Sequence, residues 1–247
     1  MPEGVRATIR RVKDAVALVT GAGRGIGRAI ALAFAARGAR ILLCARTAGE
    51  IRDAAARCSE AGGSGLALRL DVREEGEIDA LAKRVEREFG RLDVLVNNAG
   101  IYTSAPVAET TSAAWRETLE TNLTGPFLLT RTFLPLLRRS AKGHLFMVGS
   151  IASRQAFAEC GAYCASKFGL LGLTEVLREE LRGDRIRVTS VLPGATDTAA
   201  WDGKGSDAER PRMVRAEDVA EAVVAAYALP PSSSVDEITI TPAAGPI

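Results

Sequence analysis

Tyr163 and Lys167 stand four residues apart in "GAYCASKFG", Gly161–Gly169. A free tyrosine has a pKa of about 10, too high for easy proton exchange at neutral pH. A nearby ammonium favours the phenolate and lowers that value. Residues i and i+4 share a helix face, so both side chains can enter one crevice. Ser150 lies thirteen residues upstream of Tyr163, at the end of "GHLFMVGS". Its hydroxyl can donate to a carbonyl oxygen that gains charge as a hydride arrives. Such a set needs a hydride carrier, which proteins take from a cofactor. Helical surfaces also carry tyrosine and lysine with no chemistry attached, so the spacing alone is only permissive.

The residues that would hold the carrier lie near the start of the chain. "TGAGRGIG" follows an apolar run and precedes a helical pattern, where a phosphate-binding turn belongs. It fits T-G-x-x-x-G-x-G through Thr20, Gly21, Gly25 and Gly27, with Gly23, Arg24 and Ile26 inside the turn. The literal G-x-G-x-x-G does not fit this register. The next strand ends "CART", with Ala45 where an NAD site usually has an acid and Arg46 after it. A carboxylate would repel a 2′-phosphate, whereas arginine binds one bidentately. Arg24 and Arg46 therefore point to NADP(H).

Strand-like runs alternate with helical patterns along the chain. The strands are "AVALVT", "RILLCA", "GLALRLDV", "LDVLVNNAG", "GHLFMVGS", "IRVTSVLPG" and "DEITITP". The helices fall after Gly27 up to Gly38, at about Gly49–Ala61, over "EEGEIDALAKRVEREFG", at about Ser112–Arg139, at about Ala162–Arg182 and over "AEDVAEAVVAAYAL". This order predicts an α/β fold: a single doubly wound Rossmann-type domain over 1–247, with a seven-stranded parallel sheet flanked by helices on both faces. Its ligand crevice is expected at the carboxyl ends of the strands, where their order reverses. A loose lead-in is expected over residues 1–13, and a substrate loop at about 194–215. In that loop Trp201 reads either as an apolar lid or as a loop anchor.

The chain has 247 residues, 47% of them hydrophobic, and Lys plus Arg (32) nearly balances Asp plus Glu (30). A net charge of +2 gives no reason to invoke nucleic acid or an anionic membrane. No run is long and apolar enough for a membrane span, and the basic "MPEGVRATIRRVKD" does not read as a signal peptide. Cys44, Cys58, Cys160 and Cys164 match no zinc spacing, and His144 is the only histidine. No metal site is expected, and the cysteines read as reduced thiols of a cytoplasmic protein. Glu159 reads either as facing the pocket or as a surface residue, and Arg138 and Arg139 read as a solvated helix end or as contacts for an acidic carrier protein.

Seven motifs in order, from about Ala15 to Thr198, resemble the short-chain dehydrogenase/reductase family: "TGAGRGIG", "LDV", "NNAG", Asn122 in "TNLTGPF", Ser150 in "MVGS", "YCASK" and "PGATDT". The resemblance implies Tyr163 as general acid in reduction and Lys167 as the nicotinamide-ribose ligand that lowers the tyrosine's pKa. It implies Ser150 as the carbonyl anchor and Asn122 as the anchor of a water chain to the lysine. Asp71 and Val72 would line an adenine pocket. Asn97, Asn98, Ala99 and Gly100 would pack beside the nucleotide, and Pro193, Gly194, Thr196 and Thr198 would contact its nicotinamide side. The activity implied is NADPH-dependent reduction of a ketone, or of a 3-oxoacyl thioester, to a secondary alcohol. Alternatives are physiological oxidation of an alcohol and a catalytically silent NADP(H)-binding regulator. The chain closes with "SVDEITITPAAGPI" where the family's keto-acyl reductases commonly carry T-G-x-x-x-x-V-D-G-G. The helices at Ser112–Arg139 and Ala162–Arg182 would form the family's usual subunit contact, giving a homodimer or homotetramer.

Overall fold

A computed structural model describes residues 12–202 and 209–245; most of the expected lead-in, up to residue 11, and residues 203–208 of the expected loop lie outside the described residues. The strands are β1 (Val16–Thr20), β2 (Arg40–Ala45), β3 (Ser64–Arg69), β4 (Val94–Asn97), β5 (His144–Val148) and β6 (Arg187–Pro193). A short pair follows, β7 (Thr196–Asp197) and β8 (Val214–Arg215), and then β9 (Glu237–Ile240). Seven strands form one sheet in the order β3-β2-β1-β4-β5-β6-β9. Every pairing in it is parallel. The helices are α1 (Gly25–Ala35), α2 (Ala48–Glu60), α3 (Glu75–Phe89), α4 (Ser112–Leu119), α5 (Gly125–Arg138), α6 (Gly161–Leu181) and α7 (Ala216–Ala228). The doubly wound sheet expected from the alternation is thus the one observed.

Alternation along each strand builds two cores. Ala17, Val19, Ile41, Leu43, Val94, Val96 and Phe146 face one side, with Ile30 and Phe34 of α1, Ile51 of α2 and Val223 of α7. Leu18, Leu42, Leu95, Leu145 and Met147 face the other, with Ile78 of α3, Phe133 of α5 and Leu177 of α6. After β3 the chain crosses β1 to build β4 on its other side. Strand order reverses there, so a crevice opens at the carboxyl ends of β1 and β4.

Three expected boundaries are corrected. Val12 is fully buried in the first core, so the loose lead-in ends before residue 13. The third strand stops at Arg69, because the Asp71 N–H turns to donate to Glu77 Oε2 (2.8 Å) at the start of α3. The long helix expected over Ser112–Arg139 is split into α4 and α5 by a π-helical turn at Glu120–Thr124. Such turns cluster at functional sites because they re-aim a side chain, and this one carries Asn122.

Candidate active site

Thr20 ends β1 and locks it to β4. Its Oγ1 donates to Val96 O (3.2 Å) and accepts from the N–H groups of Asn98 and Ala99, both at 3.0 Å. Asn98 Nδ2 donates back to Thr20 O (2.8 Å). The turn that follows needs glycine, since Gly21 and Gly25 hold φ of +63° and +55°. It delivers the chain to α1, whose first N–H groups carry the positive end of the helix dipole.

A cleft of about 420 Å³ opens over this turn. Its walls include Gly21, Gly23, Arg24, Gly25, Ile26, Arg46, Asp71, Val72, Asn98, Ala99, Gly100, Tyr163, Lys167 and Thr198, each predicted from sequence. The other predicted residues lie outside its walls. Thr20 is buried as the β1–β4 brace, and Gly27 packs beneath the turn, beside Gly21 O and Asn98 Nδ2. Asn97, the last residue of β4, is buried and donates to Thr130 Oγ1 (3.0 Å). Pro193 pairs with Ile240 of β9, Gly194 packs on Pro242, and Thr196 sits in the β7–β8 ladder with its hydroxyl on Gly194 O. Among the described residues, the chain reaches the cleft again at Thr198 and Ala199.

The proton-transfer candidates meet at the other end. Ser150 caps a short 3-10 turn, Ile151–Ser153, with its Oγ accepting from Ala152 N (3.1 Å), and its side chain acts on the Tyr163 hydroxyl. Lys167 Nζ donates to Val148 O (2.9 Å) and lies 5.7 Å from the centroid of the Tyr163 ring. Asn122 acts from behind. Its Oδ1 accepts from Ile101 N (2.8 Å), and its Nδ2 donates to Ile101 O (2.9 Å) and to Ser166 Oγ (3.1 Å). Ser166 Oγ in turn donates to Tyr163 O (2.7 Å). The π turn, the segment after "NNAG" and the tyrosine's own backbone are thereby one connected network.

The electrostatics correct one expectation. Burial pushes the Tyr163 phenol above its ordinary value, and the Ser150 hydrogen bond opposes this without reversing it. The expected downward shift from Lys167 is absent here. Burial instead lowers the Lys167 ammonium to about 8. At the nucleotide end Arg73 holds the Asp71 carboxyl below its ordinary value, through contacts of 2.7 and 3.0 Å.

Four residues of the site escaped the sequence reading. Glu50 of α2 lines the cleft with its carboxylate against Gly23. Thr121 sits beside Asn122 in the π turn, lining the cleft with a buried Oγ1 that has no hydrogen-bond partner. Ser166 is fully buried behind Tyr163. Tyr102 meets the Tyr163 ring edge-on. The adjacency of Tyr102 to "NNAG" and of Thr121 to Asn122 was the available signal.

Residues left open by the sequence now have places. Glu159 is exposed at a left-handed bend (φ +62°) and does not line the cleft. Arg138 and Arg139 close α5, paired with Asp184 and Glu86, and do not line the cleft. Trp201 is half-buried, its N–H donating to Thr198 O (3.0 Å). All four cysteines are buried free thiols. His144 Nε2 pairs with Thr189 Oγ1 (2.8 Å), and its ring stacks on Phe146. Among the described residues, no cluster of three or more His, Cys, Asp or Glu side chains is placed to hold a metal.

The comparisons agree with this geometry. The family model for short chain dehydrogenase matches residues 15–209. A sepiapterin reductase of Chlorobaculum tepidum is 37% identical, over 94% of this chain and 98% of its own. A D-threitol dehydrogenase of Mycolicibacterium smegmatis is 38% identical, over 80% of this chain and 78% of its own. Among solved structures, a metagenomic short-chain oxidoreductase in complex with NADP superposes with a TM-score of 0.83 at 34% identity, covering 94% of this chain and 98% of its own. An alcohol dehydrogenase from the archaeon Thermococcus sibiricus, complexed with 5-hydroxy-NADP, gives 0.87 at 29% identity, covering 94% and 97%. With a reversing parallel sheet, a glycine turn at its switch point and a matching model over most of its length, this chain is a member of the short chain dehydrogenase family.

Proposed function

We propose that the chain is an NADP(H)-dependent oxidoreductase that reduces a ketone to a secondary alcohol. The observation that carries this is the meeting of Tyr163 and Lys167, with Ser150 behind the tyrosine, at one end of a cleft whose other end is a glycine turn flanked by Arg24 and Arg46. The turn fits a dinucleotide: its glycines present backbone alone, and two guanidinium groups line the same wall. Gly21, Gly23, Arg24, Gly25 and Ile26 would hold the phosphates, Arg24 and Arg46 the 2′-phosphate, Asp71 and Val72 the adenine, and Asn98, Ala99, Gly100, Thr198 and Lys167 the nicotinamide half. When bound, NADPH supplies the hydride.

The protein's part is to orient the carbonyl and to give a proton. Ser150 and Tyr163 direct two hydroxyl groups at one oxygen, where negative charge develops. The raised pKa of Tyr163 keeps its proton in place at neutral pH, the state needed to give it to that oxygen. A protonated phenol supports the reading of Tyr163 as general acid in the reducing direction. Asn122 and Ser166 fix the backbone of Tyr163, and Lys167 binds the ribose and repays the proton. The segment over about 194–215 would cover the substrate. Arg138 and Arg139 face away from the cleft and are ion-paired, which favours a free ketone over a carrier-bound 3-oxoacyl thioester.

The chain is further proposed to be a cytoplasmic homo-oligomer. No described helix is long and apolar enough to cross a membrane. Phe127 on α5 and Phe168 and Val176 on α6 are 43%, 46% and 53% exposed, an apolar face suited to a second copy. Light scattering that finds only a 26.0 kDa species would remove the oligomer. The function is tested by following NADPH oxidation against ketones, diketones, quinones, aldehydes, sugars and β-keto thioesters. Turnover of at least one carbonyl class is expected. Tight NADPH binding with no turnover of any class would leave a silent regulator instead.

A further inference from the structure

The end of the cleft that holds Tyr163 is walled by an aromatic ring. Tyr102 lines the cleft, and its ring centroid lies 5.1 Å from that of Tyr163, at an interplanar angle of 70°. Its hydroxyl lies 3.3 Å from Cys160 Sγ and is also hydrogen-bonded to Ser104. Cys160 immediately precedes α6, so Tyr102 is tied to the helix that carries Tyr163. The backbone repeats the tie: Ala105 N donates to Glu159 O (2.7 Å), and Ala105 pairs with Cys160 in a parallel bridge. The ring is held at its hydroxyl and its edge, yet 42% of the residue stays exposed.

Charge is arranged the other way. Among the described residues, the cations lining the cleft are Arg24, Arg46 and Lys167. The two arginines belong to the nucleotide end, and Lys167, which donates to Val148 O, is assigned above to the nicotinamide ribose. A substrate carboxylate or phosphate would meet aromatic rings and hydroxyl groups beside Tyr163 and would be desolvated without a partner. A flat apolar ring would lose nothing there. Aromatic rings pair with centroids about 4.5–7 Å apart. Tyr102 is one ring's width from Tyr163, so a ring attached directly to a carbonyl held by Tyr163 would find an aromatic partner on the same wall.

We propose that Tyr102 is a specificity-determining residue that selects neutral ketones bearing an aromatic or conjugated ring next to the carbonyl. The inference rests on the carbonyl-reductase reading above. The test compares acetophenone with 2-octanone, two methyl ketones of equal carbon number, in wild type, Tyr102→Leu and Tyr102→Phe, with the NADPH dissociation constant of each protein as a control. Wild type is expected to favour acetophenone in kcat/KM by about fivefold or more, the scale of one aromatic pair. Tyr102→Leu brings the ratio close to one, mainly through the KM for acetophenone, and Tyr102→Phe keeps most of it. 4-Acetylbenzoate is a poorer substrate than acetophenone. A wild-type ratio at or below one overturns the proposal without any variant, as does a ratio that survives Tyr102→Leu. Turnover of neither ketone, nor of any carbonyl in the wider panel, while NADPH still binds, would instead overturn the carbonyl-reductase reading.

Discussion

Gly27→Ala tests how tightly the nucleotide turn is packed. Gly27 is the last glycine of the turn and lies in the first turn of α1. A Cβ built there would sit 2.4 Å from Gly21 O and 2.4 Å from Asn98 Nδ2. Ordinary contact begins at 3.4 Å, so the turn, Asn98 or both must retreat by about 1 Å, and backbone cannot repack as a flexible side chain can. Overpacking of this kind costs about 1–3 kcal/mol. Displacing Asn98 strains its bonds to Thr20 O (2.8 Å) and Gly21 O (3.3 Å), each worth about 1 kcal/mol. Alanine's better helix propensity returns about 0.5–1 kcal/mol. The net cost is about 2–4 kcal/mol, or roughly 5–15 °C in Tm for a protein of this size. Gly76→Ala is the control: it lies in α3 with nothing within 4 Å of its Cβ, and it should be neutral or stabilising by about 0.5 kcal/mol. Thermal melts followed by circular dichroism, with NADPH titrations, read both variants. A Gly27→Ala protein that melts within about 2 °C of wild type and binds NADPH equally well would refute the close-packing reasoning.

Three further outcomes follow from the same geometry. Asn122→Ala removes three hydrogen bonds at the π turn and should cost about 2–4 kcal/mol in chemical denaturation; a loss under about 1 kcal/mol would show that the network does not hold the turn. Arg46→Ala should weaken NADPH by about tenfold or more in fluorescence titration while leaving NADH nearly unchanged; equal losses would mean Arg46 does not read the 2′-phosphate. The Lys167 pKa of about 8 lies below its ordinary 10.5. Between those values the unfolded chain holds a proton that the native state has released, so stability rises with pH. Cys44 and Cys58 are raised from 9.0 to about 12 and about 11, and they oppose the rise above pH 9. Between pH 8 and 9 the nucleotide-free protein should therefore gain up to about 1.4 kcal/mol, and Lys167→Met should abolish the gain; a falling slope in wild type would contradict the burial of Lys167.

The sheet was legible because its signals are local and repeated. Apolar runs such as "RILLCA" between helical patterns leave few ways to cover both faces of a strand. The glycine turn and the Tyr163–Lys167 spacing were legible because each is a short-range pattern with one backbone consequence. What escaped depends on long-range packing. Glu50 and Gly23 are far apart in the chain and meet only because α2 folds back beside the turn. Ser166 reads as one more small helical residue until Asn122 arrives from the other side of the site. The π turn leaves no mark in "TLETNLTGPF", whose periodicity passes as continuous helix. The tyrosine's pKa went the other way for a related reason: spacing places a lysine nearby, but burial depends on everything packed around the ring. Thr20, Pro193, Gly194 and Thr196 sit at the right places in the motifs and work as braces behind the cleft wall.

The most direct test of the account is Tyr163→Phe, which removes one hydroxyl and leaves the ring that packs against Tyr102. With a ketone that wild type reduces, the variant's kcat should fall by about 10²–10⁴-fold, the usual scale of a lost general acid. Its NADPH dissociation constant should stay within about twofold of wild type, because the glycine turn, Arg24, Arg46 and Lys167 are untouched. Retained turnover in a Tyr163→Phe protein that binds NADPH normally would contradict the assignment of Tyr163 as the proton donor.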